Sequence, residues 1–244
     1  MNLSYQLYSS RNWPLADTLK MVSDIGYKEV EAFAALFDDV DGLKAAVAEN
    51  GLTVSSCHMD ISALEGDIDA CIALGNDVGT KRIYGPYLNE DIRPKTKAEW
   101  EAFAQRLVAI KPTIEAAGFV FGWHNHDFEF VDLGDGVTPM DILADAGIPF
   151  ELDLGWVHVA GFDVIETIKK YAPLIRTAHI KDRAPEGEKA DEDGWADAGA
   201  GVLDWAPIMA ALKDAGVTHC VIEHDNPSDH ERFARASYEH ITSL

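Results

Sequence analysis

Short apolar runs alternate along this chain with longer stretches in which hydrophobic residues recur at helical spacing, and Gly, Asp or Pro marks most junctions. The first run, Leu3 to Tyr8, precedes a helical stretch from about Pro14 to Ile25 that Gly26 stops. Pro at the start and Gly just past the end is the expected helix asymmetry. YKEVEAFA then precedes a helix through LKAAVAEN closed by Gly51, and LTVSSCHMD precedes a helix near 67–74. KRIYGPYL is followed by a long helix over 97–117, and FVFGWHNH by PMDILADAG. PFELD opens a sixth unit with DVIETIKKYAP, IRTAHIKDR a seventh with DWAPIMAALKDAG, and THCVIEHD an eighth with PSDHERFARASYEHITSL. Eight β–α units without a linker or a shift in composition predict one (β/α)₈ barrel over residues 1–244, an α/β TIM barrel. An open doubly wound sheet is the alternative. It would bring fewer strands and a Gly-rich phosphate turn, and no GxGxxG or GxxxxGK[ST] follows any strand here.

Composition narrows the partners. The chain is 47% hydrophobic and 25% charged, with 20 Lys and Arg against 42 Asp and Glu, a formal charge of −22. Such a surface repels phosphate backbones, so neither nucleic acid nor a membrane surface is expected as a partner. No apolar run approaches the ~20 residues that span a bilayer. Cys57, Cys71 and Cys220 form no CxxC pair, which fits buried thiols in a reducing compartment. MNLSYQLYSSRNWP shows no basic region followed by an apolar core, so a cytoplasmic location is expected. Self-association into a homo-oligomer is left open.

Polar residues collect where the predicted strands end: Glu31, His58 and Asp60, the cluster His124 to Glu129, Glu151 and Asp153, His179 to Asp182, and Glu223 to Asp225. Taken singly, His179 reads as a hydrogen-bonded structural histidine, Glu223 as an acid paired with Lys181 or Arg183, and Asp153 as a cap on the next turn. Together, each closes an otherwise apolar run (PFELD, IRTAH, CVIE) in consecutive strands of a barrel whose ends meet at one mouth. Converging carboxylates repel unless a cation lies between them, and mixed oxygen and nitrogen donors suit a divalent metal. Residues 182–203 form a connection longer than the usual ~4–6 residues, at the face where barrel enzymes keep their chemistry, and are expected to be a mobile cover. His219, His230 and His240 are expected at the surface; Trp13, Trp100, Trp195 and Trp205 in packing or in the cover.

HNHDFEF after strand five, ELDLGWVHVAG at strand six, HIKDR at strand seven, GAGVLDW after it and VIEHDNP at strand eight resemble the sugar phosphate isomerase/epimerase-like barrels. These belong to the xylose isomerase-like superfamily, which also includes inosose dehydratases, ketose 3-epimerases and metal-dependent apurinic endonucleases. The resemblance runs over essentially the whole chain. It implies one divalent ion (Mn²⁺, Mg²⁺, Co²⁺ or Zn²⁺) held by a Glu, an Asp, a His and a Glu from strands five to eight. Asp153, His179 and Glu223 match three of these. Strand five carries Trp123, His124 and Asn125 where relatives have the Glu, and relatives with HNHxxEF point to Glu129, with His126 as the fallback. Trp156 stands where epimerase relatives have a His, and Ala200 where a Glu is common; both depart from a simple 3-epimerase.

The implied chemistry is proton removal next to the carbonyl of a keto-sugar or cyclitol, with the ion stabilising an enediolate. Glu129 and Glu223 are expected to move the proton, helped by His126 and Lys181. His58, His124, Trp156 and Arg183 are expected to contact substrate. Return of the proton to carbon makes an isomerase or epimerase; loss of a β-substituent makes a lyase, of the inosose dehydratase or 3-keto-glycoside eliminase type. The net charge and missing ligands disfavour an endonuclease, and the intact acid, imidazole and lysine positions disfavour a non-catalytic sugar-binding barrel.

Overall fold

The computed structural model describes residues 1–244. Eight parallel strands close into a barrel: β1 (Asn2–Gln6), β2 (Glu29–Ala32), β3 (Thr53–His58), β4 (Arg82–Gly85), β5 (Val120–His124), β6 (Phe150–Asp153), β7 (Ile175–Ile180) and β10 (His219–Ile222), with β10 pairing β1 through Asn2 and His219 to complete the ring. Two further strands, β8 (Asp182–Arg183) and β9 (Trp195–Ala196), form an antiparallel ribbon inside the long connection after β7. The helices are α1 (Leu15–Ile25), α2 (Val40–Glu49), α3 (Ile61–Gly66), α4 (Ile68–Val78), α5 (Lys97–Ala116), α6 (Pro139–Asp145), α7 (Leu154–Val159), α8 (Val164–Tyr171), α9 (Trp205–Asp214) and α10 (His230–Thr242). The eight expected units are present. Two short helices, α3 and α7, were not anticipated; α7 follows directly on the carboxyl end of β6, and α3 follows the end of β3 after two residues. No helix is long and apolar enough to cross a membrane.

Local chemistry sets the helix ends. Thr96 with Glu99, and Thr138 with Asp141, form reciprocal capping boxes at the starts of α5 and α6. Gly26, at φ +126°, takes a turn after α1 that a side chain would strain. Gly122, within β5, admits the Pro149 carbonyl where a Cβ would come to 2.4 Å of its oxygen, so this glycine sets how closely β5 meets the start of β6.

The apolar core fills the shell between strands and helices, with Trp100, Phe103, Trp123, Phe150, Trp205 and Phe233 fully buried. The barrel interior is different: it is polar at both ends. Near the amino-terminal end His219 is buried, 3.1 Å from Ser55 Oγ and 3.2 Å from Glu29 Oε2. That corrects its expected surface position. His219 opens β10, but its side chain turns into the barrel instead of outward. His230 is half-buried, bonded to Ser10 and stacked on Trp13 at 4.2 Å, and His240 is half-buried on α10. The polar groups at the carboxyl end form the candidate site.

The connection 182–203 is not built as a free cover. The buried Asp182 carboxylate accepts from the backbone N–H groups of Arg183, Gly199, Gly201 and Leu203 and from Trp205 Nε1, at 2.8 to 3.2 Å. Farther out, buried Glu192 accepts from Ser228 N at 2.7 Å and Arg232 Nη2 at 2.8 Å, tying the tip to the start of α10. Exposure is continuous only over 185–191. The connection is therefore a fastened wall, because its own turns supply the N–H donors that a buried carboxylate needs.

Candidate functional site

β2, β3, β5, β6 and β7, together with Glu223 just past β10, deliver side chains to one buried cluster at the carboxyl end of the barrel. Glu151 and Asp153, two apart on β6, point the same way, as strand alternation requires. His124, at the end of β5, has Nδ1 3.3 Å from Glu151 Oε2 and Nε2 3.9 Å from Asp153 Oδ2. His179 on β7 lies between acids: Nδ1 is 2.9 Å from Glu223 Oε2, Nε2 is 2.8 Å from Glu31 Oε1, and the same Nε2 is 3.2 Å from Glu151 Oε2. His58 bridges Glu151 at 2.6 Å and Glu31 at 3.2 Å, and Gln6 Nε2 donates to Glu31 at 2.7 Å. Lys181, 1% exposed, sits 2.6 Å from Asp225, 3.2 Å from Glu223 and 3.4 Å from Asp153, with its ammonium 4.7 Å above the Trp195 ring and 5.2 Å above Trp156.

Second contacts hold these groups in place. The Asn125 side chain accepts from Asp153 N at 2.9 Å and donates to Asp153 O at 3.2 Å, pinning the backbone where β6 ends. Asp153 Oδ1 accepts from Trp156 N and so caps α7, which leaves Oδ2 facing His124 and Lys181. Asp153 is thus the expected cap through Oδ1, while Oδ2 faces the cluster.

Burial and charge set the protonation pattern. Burial lowers His124 well below the usual imidazole range, and neighbouring His179 lowers it further, so it is neutral. His126 is likewise held low by burial and by Lys181. Burial alone would also depress His179, but Glu151 and Glu31 outweigh it and hold the ring protonated. Burial would raise Glu223, yet Lys181 and His179 keep it ionised; Asp153 is pushed up to about 6 by burial against the pull of Lys181. Lys181 would lose its proton more readily through burial alone, but Asp225 and Glu223 keep it charged.

The expected site residues divide. His58, His124, His126, Trp156, Lys181 and Glu223 line a cavity of about 570 Å³ that opens at the carboxyl face. Asp153 and His179 lie at the floor beneath it, fully buried. Two expectations are corrected. Glu129 is not brought into the cluster: its oxygens accept from Trp123 Nε1 and His126 N, both at 2.8 Å, because the single 3₁₀ turn at Phe128–Phe130 folds the side chain back under the strand end. Arg183 does not face the cavity: its guanidinium donates to Asp193 O at 2.7 Å and packs over Trp195, fastening the β8–β9 ribbon. Three inward groups had no role assigned beforehand or a lesser one. Glu31 and Glu151 were visible only as polar residues on apolar strands, and His124 takes the position from which Glu129 is absent.

Glu129 carries its own pH signature. Burial pushes its carboxyl from 4.5 up to about 8, against the N–H donors of His126 and Trp123. A raised acid binds its proton more tightly folded than unfolded, so its contribution is complete below about 4.5 and is lost as pH rises through about 8. Thermal melts from pH 5 to 9 should show that decline in the parent and a flatter profile in Glu129→Gln. Equal slopes in both would remove Glu129 as its source.

The donors suit a divalent cation. Single ligand atoms of His124, Asp153, His179 and Glu223 all lie within 4.8 Å of one another, as do those of His58, His124, Glu151 and His179. His124 Nδ1, Glu151 Oε1 and Glu31 Oε2 are buried without a hydrogen-bond partner, a cost that polar side chains bear where a further group completes them.

Comparison with known proteins places this geometry. The family model described as xylose isomerase-like TIM barrel matches residues 19–244. An inosose dehydratase of Geobacillus kaustophilus is 22% identical over 264 aligned positions, covering 93% of this chain and 86% of the relative. An inosose dehydratase of Clostridium perfringens is 25% identical over 129, covering 48% of this chain and 43% of the relative, so this match spans less than half of that protein's length. Among solved structures, a sugar phosphate isomerase/epimerase from Parabacteroides distasonis superposes with a TM-score of 0.82 at 17% identity, covering 98% and 92% of the two chains. The IolI protein with a bound zinc atom superposes with a TM-score of 0.76 at 17% identity, covering 100% and 97%. At these identities the structural likenesses establish the fold.

Proposed function

This chain belongs to the xylose isomerase-like TIM barrel family, and we propose that it is a divalent-metal-dependent isomerase or epimerase of a keto-sugar or cyclitol. The observation that carries the reading is the convergence of His124, Asp153, His179 and Glu223 within 4.8 Å at the floor of an open cavity, with Lys181 buried beside them. These four residues are the proposed ligands, His124 replacing Glu129 as the strand-five member. Two imidazoles with two carboxylates favour Zn²⁺, Co²⁺ or Mn²⁺ over Mg²⁺, which prefers an all-oxygen set. Bound there, the ion would supply Lewis-acid stabilisation of charge on the substrate's oxygens.

The remaining roles follow from position. His126 is held neutral, lines the cavity, and has Nδ1 buried without a partner, which suits it to take a proton from the carbon beside the carbonyl. Lys181 carries a positive charge at the cavity wall and would hold a substrate hydroxyl or oxyanion. Trp156 and the Trp195 ring beneath keep water from the ammonium. Glu31 is a positioning residue: with Glu223 and the ion at Nδ1 of His179, the hydrogen bond to Nε2 fixes which nitrogen is presented. Glu31→Gln removes that charge and should weaken ion binding by roughly 10- to 100-fold, read by chelator competition. Unchanged affinity would leave Glu31 as packing only.

A lyase of the same site is the second reading. It is favoured by a charged lysine that can protonate a departing hydroxyl, and by similarity to inosose dehydratases. Incubating the Mn²⁺-loaded protein with a panel of keto-sugars and inososes in deuterium oxide tests both. Deuterium entering the carbon beside the carbonyl, with retained composition, supports the isomerase; loss of water supports the lyase. Neither change on any member would remove the proposal.

A further inference from the structure

Lys181 reaches the same oxygens as the proposed ion. Its ammonium is 3.4 Å from Asp153 Oδ2 and 3.2 Å from Glu223 Oε2. Asp153 Oδ2 is also the oxygen that faces His124 Nε2, and Glu223 Oε2 the one that meets His179 Nδ1. An ammonium therefore touches both carboxylates at the atoms turned toward the two imidazoles. A divalent ion bonds such oxygens at about 2.0–2.2 Å. It and the ammonium would then share two atoms, and like charges so close repel strongly where burial weakens screening.

The lysine has another place to rest. Asp225 Oδ1, outside the proposed ligand set, is nearer than either acid at 2.6 Å, and Arg11 donates to the Asp225 carbonyl and so fastens that residue. The faces of Trp195 and Trp156 also receive the ammonium. The base of the side chain cannot follow. At Gly155 a Cβ would come to 2.7 Å of Lys181 O and 2.9 Å of Lys181 Cβ, so α7 packs directly on it. Any movement is confined to the flexible four-carbon stem.

We infer that Lys181 is an internal competitor of the divalent ion: ammonium and ion exchange at Asp153 and Glu223, and Asp225 takes the ammonium when the ion binds. The inference rests on the ion site proposed above and adds to it a positioning role for Lys181 in loading. Exchange keeps the two buried carboxylates neutralised throughout, so the ligands need no rearrangement to receive the ion. It also holds affinity below what the four ligands alone would give, which leaves the ion replaceable.

Zn²⁺ affinity, measured on the full chain by competition with a fluorescent chelator, tests this. Lys181→Met alone removes a positive charge and by that fact favours any cation. Lys181→Met combined with Asp225→Asn removes one charge of each sign, so the net charge around the ligands is unchanged and Asp225 is not left as an unpaired acid. The double variant is expected to bind Zn²⁺ about tenfold more tightly than the parent, within the range of couplings between groups in contact. Asp225→Asn alone should bind it about threefold more weakly, because the ammonium then rests on the ligand oxygens. Parental or weaker affinity in the double variant overturns the competition and leaves the ion site standing. If the double variant does not fold, Asp225→Asn decides, and affinity equal to or above the parent's overturns it. No Zn²⁺ binding by the parent takes down the ion site and the inference together.

Discussion

His179→Ala is expected to lower divalent-ion affinity by more than about 100-fold and to lower turnover at least as much. The ring does two jobs at once. It offers Nδ1 beside Glu223 and Asp153, and it separates Glu31, Glu151 and Glu223, three buried carboxylates that it touches at 2.8 to 3.2 Å. Without it, those acids face one another with only His58 and Lys181 to offset them. Removing one partner from a buried charge pair costs about 3–5 kcal/mol, so the variant should also melt earlier. Circular dichroism sets a temperature at which it remains folded, and ion competition is read there. His179→Gln, which keeps a hydrogen-bonding side chain, should restore part of the stability and none of the ion affinity. Parental ion affinity in either variant would place the ion away from this cluster.

Asp182→Ala should produce the largest loss of stability away from the cluster. One carboxylate gathers four backbone N–H groups and the Trp205 indole, all from residues 183–205. Truncation leaves these donors unpaired around a buried void, for a cost of about 3–5 kcal/mol. For a chain of this size that is a fall in melting temperature of roughly 10 °C. Asp182→Asn should not rescue it, since an amide turns a donor toward donors. The adjacent Lys181 backbone would lose its support, so turnover should drop as well. A variant that melts within about 2 °C of the parent would show that the ribbon is held by its packing on α7 and α10 alone.

Much of this arrangement was legible before the fold was known, and the reasons differ residue by residue. Asp153, His179 and Glu223 end apolar runs, so strand alternation alone directs them to the mouth of a barrel. The barrel itself followed from eight repeats of the strand and helix periods, punctuated by Gly and Pro. Glu31 and Glu151 were visible as acids on apolar strands, but their approach to His58 and His179 joins residues far apart in sequence, which no local pattern encodes. Glu129 was misplaced because motif spacing puts it next to the strand end, while one 3₁₀ turn rotates it onto Trp123 and His126 N. The connection after β7 looked mobile from its length and glycines. What fastens it is two buried acids, Asp182 satisfied by N–H groups spread over some twenty positions and Glu192 held by Ser228 and Arg232, a pattern that composition cannot reveal.

The most direct test of the proposed ion site is anomalous diffraction from crystals loaded with Mn²⁺ or Zn²⁺. The account predicts one ion bonded to His124, Asp153, His179 and Glu223, with His179 contributing Nδ1 and keeping Nε2 on Glu31. An ion on Glu129, an ion held through Nε2 of His179 by Glu151 and His58, or no ion at saturating metal would contradict it.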